Sequence, residues 1–126
     1  MKKIIAVLIL GLIAFSALAQ DFSKPTNTET LKEQTMIFKL EFTEDQSIGL
    51  ILWGQSTGLG ATMEFVDMTN SPRPEEITMS YEIASGNSLY LLYKGEKFQF
   101  VIFRNDTAYI YSADDEKLLM KLPRTI

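Results

Sequence analysis

Glu44-Asp45, Glu75-Glu76 and Asp114-Asp115-Glu116 are the groups in this chain best equipped for chemistry, because histidine and cysteine are both absent. That absence removes the usual general base, the commonest metal ligand, thiol nucleophiles and any Ser-His-Asp triad. Each carboxylate pair falls at an expected turn, where such groups are normally solvated and serve the backbone. The Asp114-Asp115-Glu116 run lacks the alternating ligands and the glycine of a calcium loop. Gly54 to Gly60 is glycine-rich but lacks the Lys-Ser/Thr ending of a phosphate loop, and is expected to be a flexible connection. No catalytic residue, cofactor or metal site is therefore expected, and the chain is expected not to be an enzyme. What remains is an unusual density of tyrosine, phenylalanine and leucine, a composition suited to burying apolar surface and stacking on rings.

The elements that carry these residues are strands. From Met36 onward apolar and polar residues alternate with period two, and no long helical period or repeat interrupts them. About eight short strands follow, an all-β single antiparallel meander forming a small barrel or strongly curved sheet. Gly95-Glu96 suits a type II′ turn, Asn105-Asp106 a type I′ turn, and Asp114-Asp115 the next corner. Folding at those corners sets Leu91 opposite Phe100, Ile102 opposite Tyr109 and Tyr109 opposite Met120. Opposite residues share a face. One face then holds Tyr81, Leu91, Tyr93, Phe98, Phe100, Ile102, Tyr109, Tyr111, Leu118 and Met120, as core or cavity lining. Of these, Tyr81, Leu91, Phe100, Ile102, Tyr109, Tyr111 and Met120 are the candidate ligand-binding residues. The other face carries a second apolar band of Tyr90, Val101, Phe103, Ile110 and Leu119, a candidate interaction surface.

The ends of the chain speak to destination. Met1-Lys2-Lys3, the apolar run from Ile4 and the small residues before Gln20 have the layout of a secretory signal peptide, residues 1–19. The run Ile4 to Ala19 is 16 residues long, short of the ~20 a spanning helix needs. Cleavage would leave ten basic and sixteen acidic residues, a formal charge of −6. That charge, with no basic stripe, speaks against nucleic acid as a partner. No membrane span is expected after cleavage. The mature domain is expected to be secreted or periplasmic, with residues 20–35 a flexible leader and 36–126 the β domain. Asn105-Asp106-Thr107 matches a glycosylation triplet but is taken as a turn.

The succession Leu40-Glu41-Phe42-Thr43-Glu44-Asp45, Tyr81-Glu82-Ile83, Gly86-Asn87, Leu89-Tyr90-Leu91, Phe98 to Phe103 and Leu118 to Leu122 before Arg124 resembles the lipocalin-like, calycin-type domains of bacterial envelope proteins. The resemblance spans roughly residues 36–126. It implies a β-barrel and a small exported binding protein holding a hydrophobic ligand in its interior. The alternative is a non-enzymatic interaction module that docks an envelope partner, or its own copy, on the outer apolar band.

Overall fold

A computed structural model describes residues 24–54, 60–69 and 74–126. The expected signal peptide and most of the Gly54 to Gly60 connection lie outside these residues. The fold is all-β. Eight strands follow one another in a single antiparallel meander: β1 (Met36–Glu41), β2 (Gln46–Leu52), β3 (Ala61–Asp67), β4 (Glu75–Ser85), β5 (Ser88–Tyr93), β6 (Glu96–Arg104), β7 (Thr107–Ser112) and β8 (Leu118–Pro123). β4 is the longest strand and forms the corner. Its first half pairs with β3 and its second half with β5.

The sheet curls into a nearly closed barrel. Phe38 bridges Arg124, and Ile37 exchanges backbone hydrogen bonds with Thr125 and Ile126. Closure is confined to this end for a chemical reason. The Arg124 amide points away from β1, donating to the carbonyl of Asp106 in the β6–β7 turn at 2.8 Å, so the next amide position toward β1 belongs to Pro123. Proline has no N–H, and the β1–β8 ladder stops there. A seam is left between the far halves of β1 and β8.

The leader seals the closed end. A single 3-10 turn, Thr30–Lys32, buries Leu31 completely. Thr28 donates from its amide to the Gly86 carbonyl and from its hydroxyl to the Ser85 carbonyl. Arg124, 2% exposed, donates to the Ile126 and Lys24 carbonyls and to the Thr26 hydroxyl. Burial pulls the guanidinium pKa down and nearby Asp106 pushes it back up. So buried a cation is tolerated only with such acceptors around it. The leader from Lys24 onward is thus an ordered plug, not a loose arm.

Two register shifts decide the core. The β5–β6 turn is Lys94-Gly95, both at positive φ, one residue earlier than the Gly95-Glu96 turn expected from sequence. That move alone displaces the pairing by two residues and keeps the faces; the bulge at Phe98 takes one residue back, so that Leu91 faces Gln99, Tyr90 faces Phe100 and Leu89 faces Val101. A one-residue slip turns a strand over. β6 is reversed against expectation, and β7 follows because its Asn105-Asp106 turn forms as expected, with Ile102 opposite Tyr109 and Phe100 opposite Tyr111. A second bulge at Leu119 then turns β8 back, so Ile110 faces Met120 and Ala108 faces Leu122.

Val101, Phe103 and Ile110, expected on an outer band, therefore belong to the barrel core, together with Leu50, Leu89, Leu91 and Leu122. Phe103 stacks on Phe38 across the closure, ring centroids 5.5 Å apart. Phe100, Ile102, Tyr109 and Tyr111, expected inside, coat the outer wall. Tyr93, Phe98 and Leu118 are likewise exposed. This inversion has a direct energetic test. Ile110→Ala should cost about 2–5 kcal/mol in chemical denaturation, the range for a fully buried aliphatic side chain. Tyr109→Ala, at a half-exposed wall position, should cost clearly less. The reverse order would restore the face assignment expected from sequence.

Candidate functional site

The outer wall of β5–β8 is built in rows by the observed register. One row runs Glu82, Tyr90, Phe100, Tyr111, Leu118 across five strands. The row beside it runs Ile102, Tyr109, Lys121. Cross-strand aromatic neighbours attract one another. Tyr90 and Phe100 meet at 4.7 Å between centroids, tilted by 45°. The strands hold these rings rigidly because their alternate residues are locked in the core.

Between the first row and the β7–β8 turn lies a cleft of about 410 Å³, lined by Tyr90, Phe100, Ile102, Tyr111, Ser112, Ala113 and Glu116. That volume is within the range of small-molecule sites. The turn that forms one lip is pinned by its backbone. Ser112 N–H donates to the Lys117 carbonyl and Glu116 N–H to the Ser112 carbonyl, with Glu116 at a φ of 60°. A second cleft of about 300 Å³ is lined by Tyr93, Lys94, Glu96, Lys97, Phe98 and Asp114.

The tyrosines of this wall collect cations. Lys97 Nζ lies 4.3 Å from the Tyr90 centroid and Lys94 Nζ 5.4 Å from that of Tyr93. Arg104 and Lys121 both lie over Tyr109, at 5.3 and 5.5 Å. Such contacts draw on the negative face of the ring. They also spread the apolar stems of the cations over the wall and shield part of it from water.

The seven candidate ligand-binding residues are split by the barrel wall. Tyr81 and Leu91 are buried inside, and Met120 packs against that core. Phe100, Ile102, Tyr109 and Tyr111 are outside, three of them lining the first cleft. Of the five candidate interaction residues, Tyr90 lies in the cleft and Leu119 is an exposed bulge, 49% accessible; the other three are core. Ser112 and Ala113 are not singled out by the sequence, and Glu116 is singled out there only as part of a turn carboxylate run. Their place beside Tyr111 follows from the shape of the β7–β8 turn, for which the carboxylate run was the only signal.

Two interior polar groups stand out. Tyr81 donates its phenol proton to the Trp53 carbonyl at 2.8 Å, and burial raises its pKa. Gln99, opposite Leu91 and Ser112, is 7% exposed, and its Oε1 has no hydrogen-bond partner among the described residues. Among the described residues no group of His, Cys, Asp or Glu side chains is arranged to hold a metal ion. None of their helices is long and apolar enough to cross a membrane.

Comparison with protein-family models, with curated proteins and with solved structures found no match.

Two stability effects follow from the interior groups. Gln99→Met removes a buried acceptor left unpaired, and should stabilise the fold by about 1 kcal/mol in urea denaturation; destabilisation would show that the amide is satisfied. Tyr81 favours its neutral form in the folded chain. Its contribution is complete below the ordinary tyrosine value of about 10 and is lost as pH rises from there through the higher folded-state value. Tyr81→Phe should flatten the loss of stability above that pH, read from denaturation midpoints across an alkaline series.

Proposed function

We propose that this protein is a small, non-catalytic binding protein that works after export and holds an apolar ligand on the outer wall of its barrel, in the Tyr90–Phe100–Tyr111 cleft. The observation that carries this reading is the register. It sends Tyr90, Phe100 and Tyr111 outward, where they form a shaped recess that the core does not need. The signal-like layout of Met1 to Ala19 supports export. The lack of His and Cys supports binding over catalysis. The cleft offers rings for contact.

A second reading puts the ligand inside the barrel, as the resemblance to lipocalin-like domains implies. One observation favours it: the unpartnered Oε1 of Gln99 would accept a hydrogen bond from a guest. Docking of an envelope partner or a second copy on a Val101–Ile110–Leu119 band loses its support, because Val101 and Ile110 are interior.

Titration with 3,3-dimethyl-1-butanol, a compact apolar alcohol, tests the outer cleft by heteronuclear NMR. Shifts should concentrate at Tyr90, Phe100, Tyr111 and Ser112, and Phe100→Ala should weaken binding at least about threefold, the loss of one ring contact. Shifts confined to Leu91, Gln99 and Met120 would move the site indoors.

A further inference from the structure

The outer cleft has a charge as well as a shape. Its aromatic floor is Tyr90, Phe100 and Tyr111; Lys97 already lies over the Tyr90 ring, and among the described residues the only charged one lining the cleft is Glu116. No cation lies within 4.0 Å of the Glu116 carboxylate among the described residues. Glu82 adds a second carboxylate at the end of the same row, directly across from Tyr90. The chain as a whole carries −4, and such a field raises the local concentration of cations.

The wall itself reports what its rings attract. Four side-chain cations, Lys94, Lys97, Arg104 and Lys121, lie over tyrosine rings. Among the described residues no such cation lies over Phe100 or Tyr111, the two rings that line the cleft with Glu116. Rings together with a carboxylate are the combination that recognises alkylated ammonium groups. The rings supply quadrupole attraction and apolar contact to the methyls, and the carboxylate supplies the counter-charge.

Resting on the outer-cleft reading above, we infer that the cleft formed by Tyr90, Phe100, Tyr111 and Glu116 takes a small organic cation of the quaternary ammonium class. The cation would sit against the Phe100 and Tyr111 rings, with Glu116 at the lip as its counter-ion. The volume of about 410 Å³ suits a free small molecule.

The test compares choline with its neutral isostere 3,3-dimethyl-1-butanol and with the anion 3,3-dimethylbutanoate, titrated into the full chain and followed at the Tyr90, Phe100 and Tyr111 ring signals. Choline should bind at least about threefold more tightly than the alcohol, the low end for an exposed cation–π site, and the anion most weakly. In Glu116→Gln the ratio of choline to alcohol affinity should collapse toward one. Circular dichroism establishes that the variant is folded. Equal binding of choline and alcohol, a ratio unchanged in Glu116→Gln, or tighter binding of the anion overturns the inference and leaves the outer-cleft reading standing. Absence of shifts at these rings with all three probes overturns both.

Discussion

The hydrogen-bond register between β5 and β6 governs this molecule. Leu89 and Leu91 point into the barrel, and whatever stands opposite them must do the same. The register puts Val101 and Gln99 there, and commits Phe100 and Ile102 to the outer wall. β7 inherits the choice through its tight turn, which seats Ile110 and Ala108 inside and Tyr109 and Tyr111 outside. Val101, Ala108 and Ile110 fill the interior, and the tyrosines of β7 stay on the wall. An aromatic outer wall is the consequence, and the cleft exists because of it.

Much of the architecture is legible in the sequence. Period-two alternation from Met36 onward announced strands, and the Asn105-Asp106 pair announced its turn type. The β4–β5 pairing of Tyr81 with Leu91 and Ile83 with Leu89 is as the sequence suggests. The side of the wall on which β6 and β7 residues point was not legible, for two physical reasons. Where the turn sits does not decide the face, since starting it at Lys94 and not Gly95 displaces the pairing by two residues; the unpaired Phe98 decides it, and no glycine or proline in Lys97-Phe98-Gln99 marks that bulge. The usual arbiter is hydrophobic patterning, and it is silent where both faces are apolar. Val101 against Ile102, and Ile110 against Tyr111, are equally acceptable core residues by type. The Leu119 bulge hides in the same way, inside a run of apolar neighbours.

The candidate site inherits this history. Tyr90 was placed correctly on the outer wall, and Phe100 and Tyr111 were recognised as facing the same way as each other. They were assigned to the wrong side of the sheet together. Glu116 could not be found from sequence, because its relation to the rings depends on how a five-residue turn folds back over β7. One of the turn carboxylates expected to be merely solvated, Glu116, lines the recess.

The seam between β1 and β8 gives the barrel an uneven mechanical character. At one end Arg124, the leader and the Phe38 bridge tie the wall into a hoop. Past Pro123 the wall is a slit tube, and a slit tube resists bending far more than it resists splaying. Widening at the far rim breaks no ladder bond between β1 and β8, whereas widening at the sealed end must break several at once. Elastic give is therefore concentrated along one flank of the rim, where β8 and the turn that leads into it form the lip of the aromatic recess.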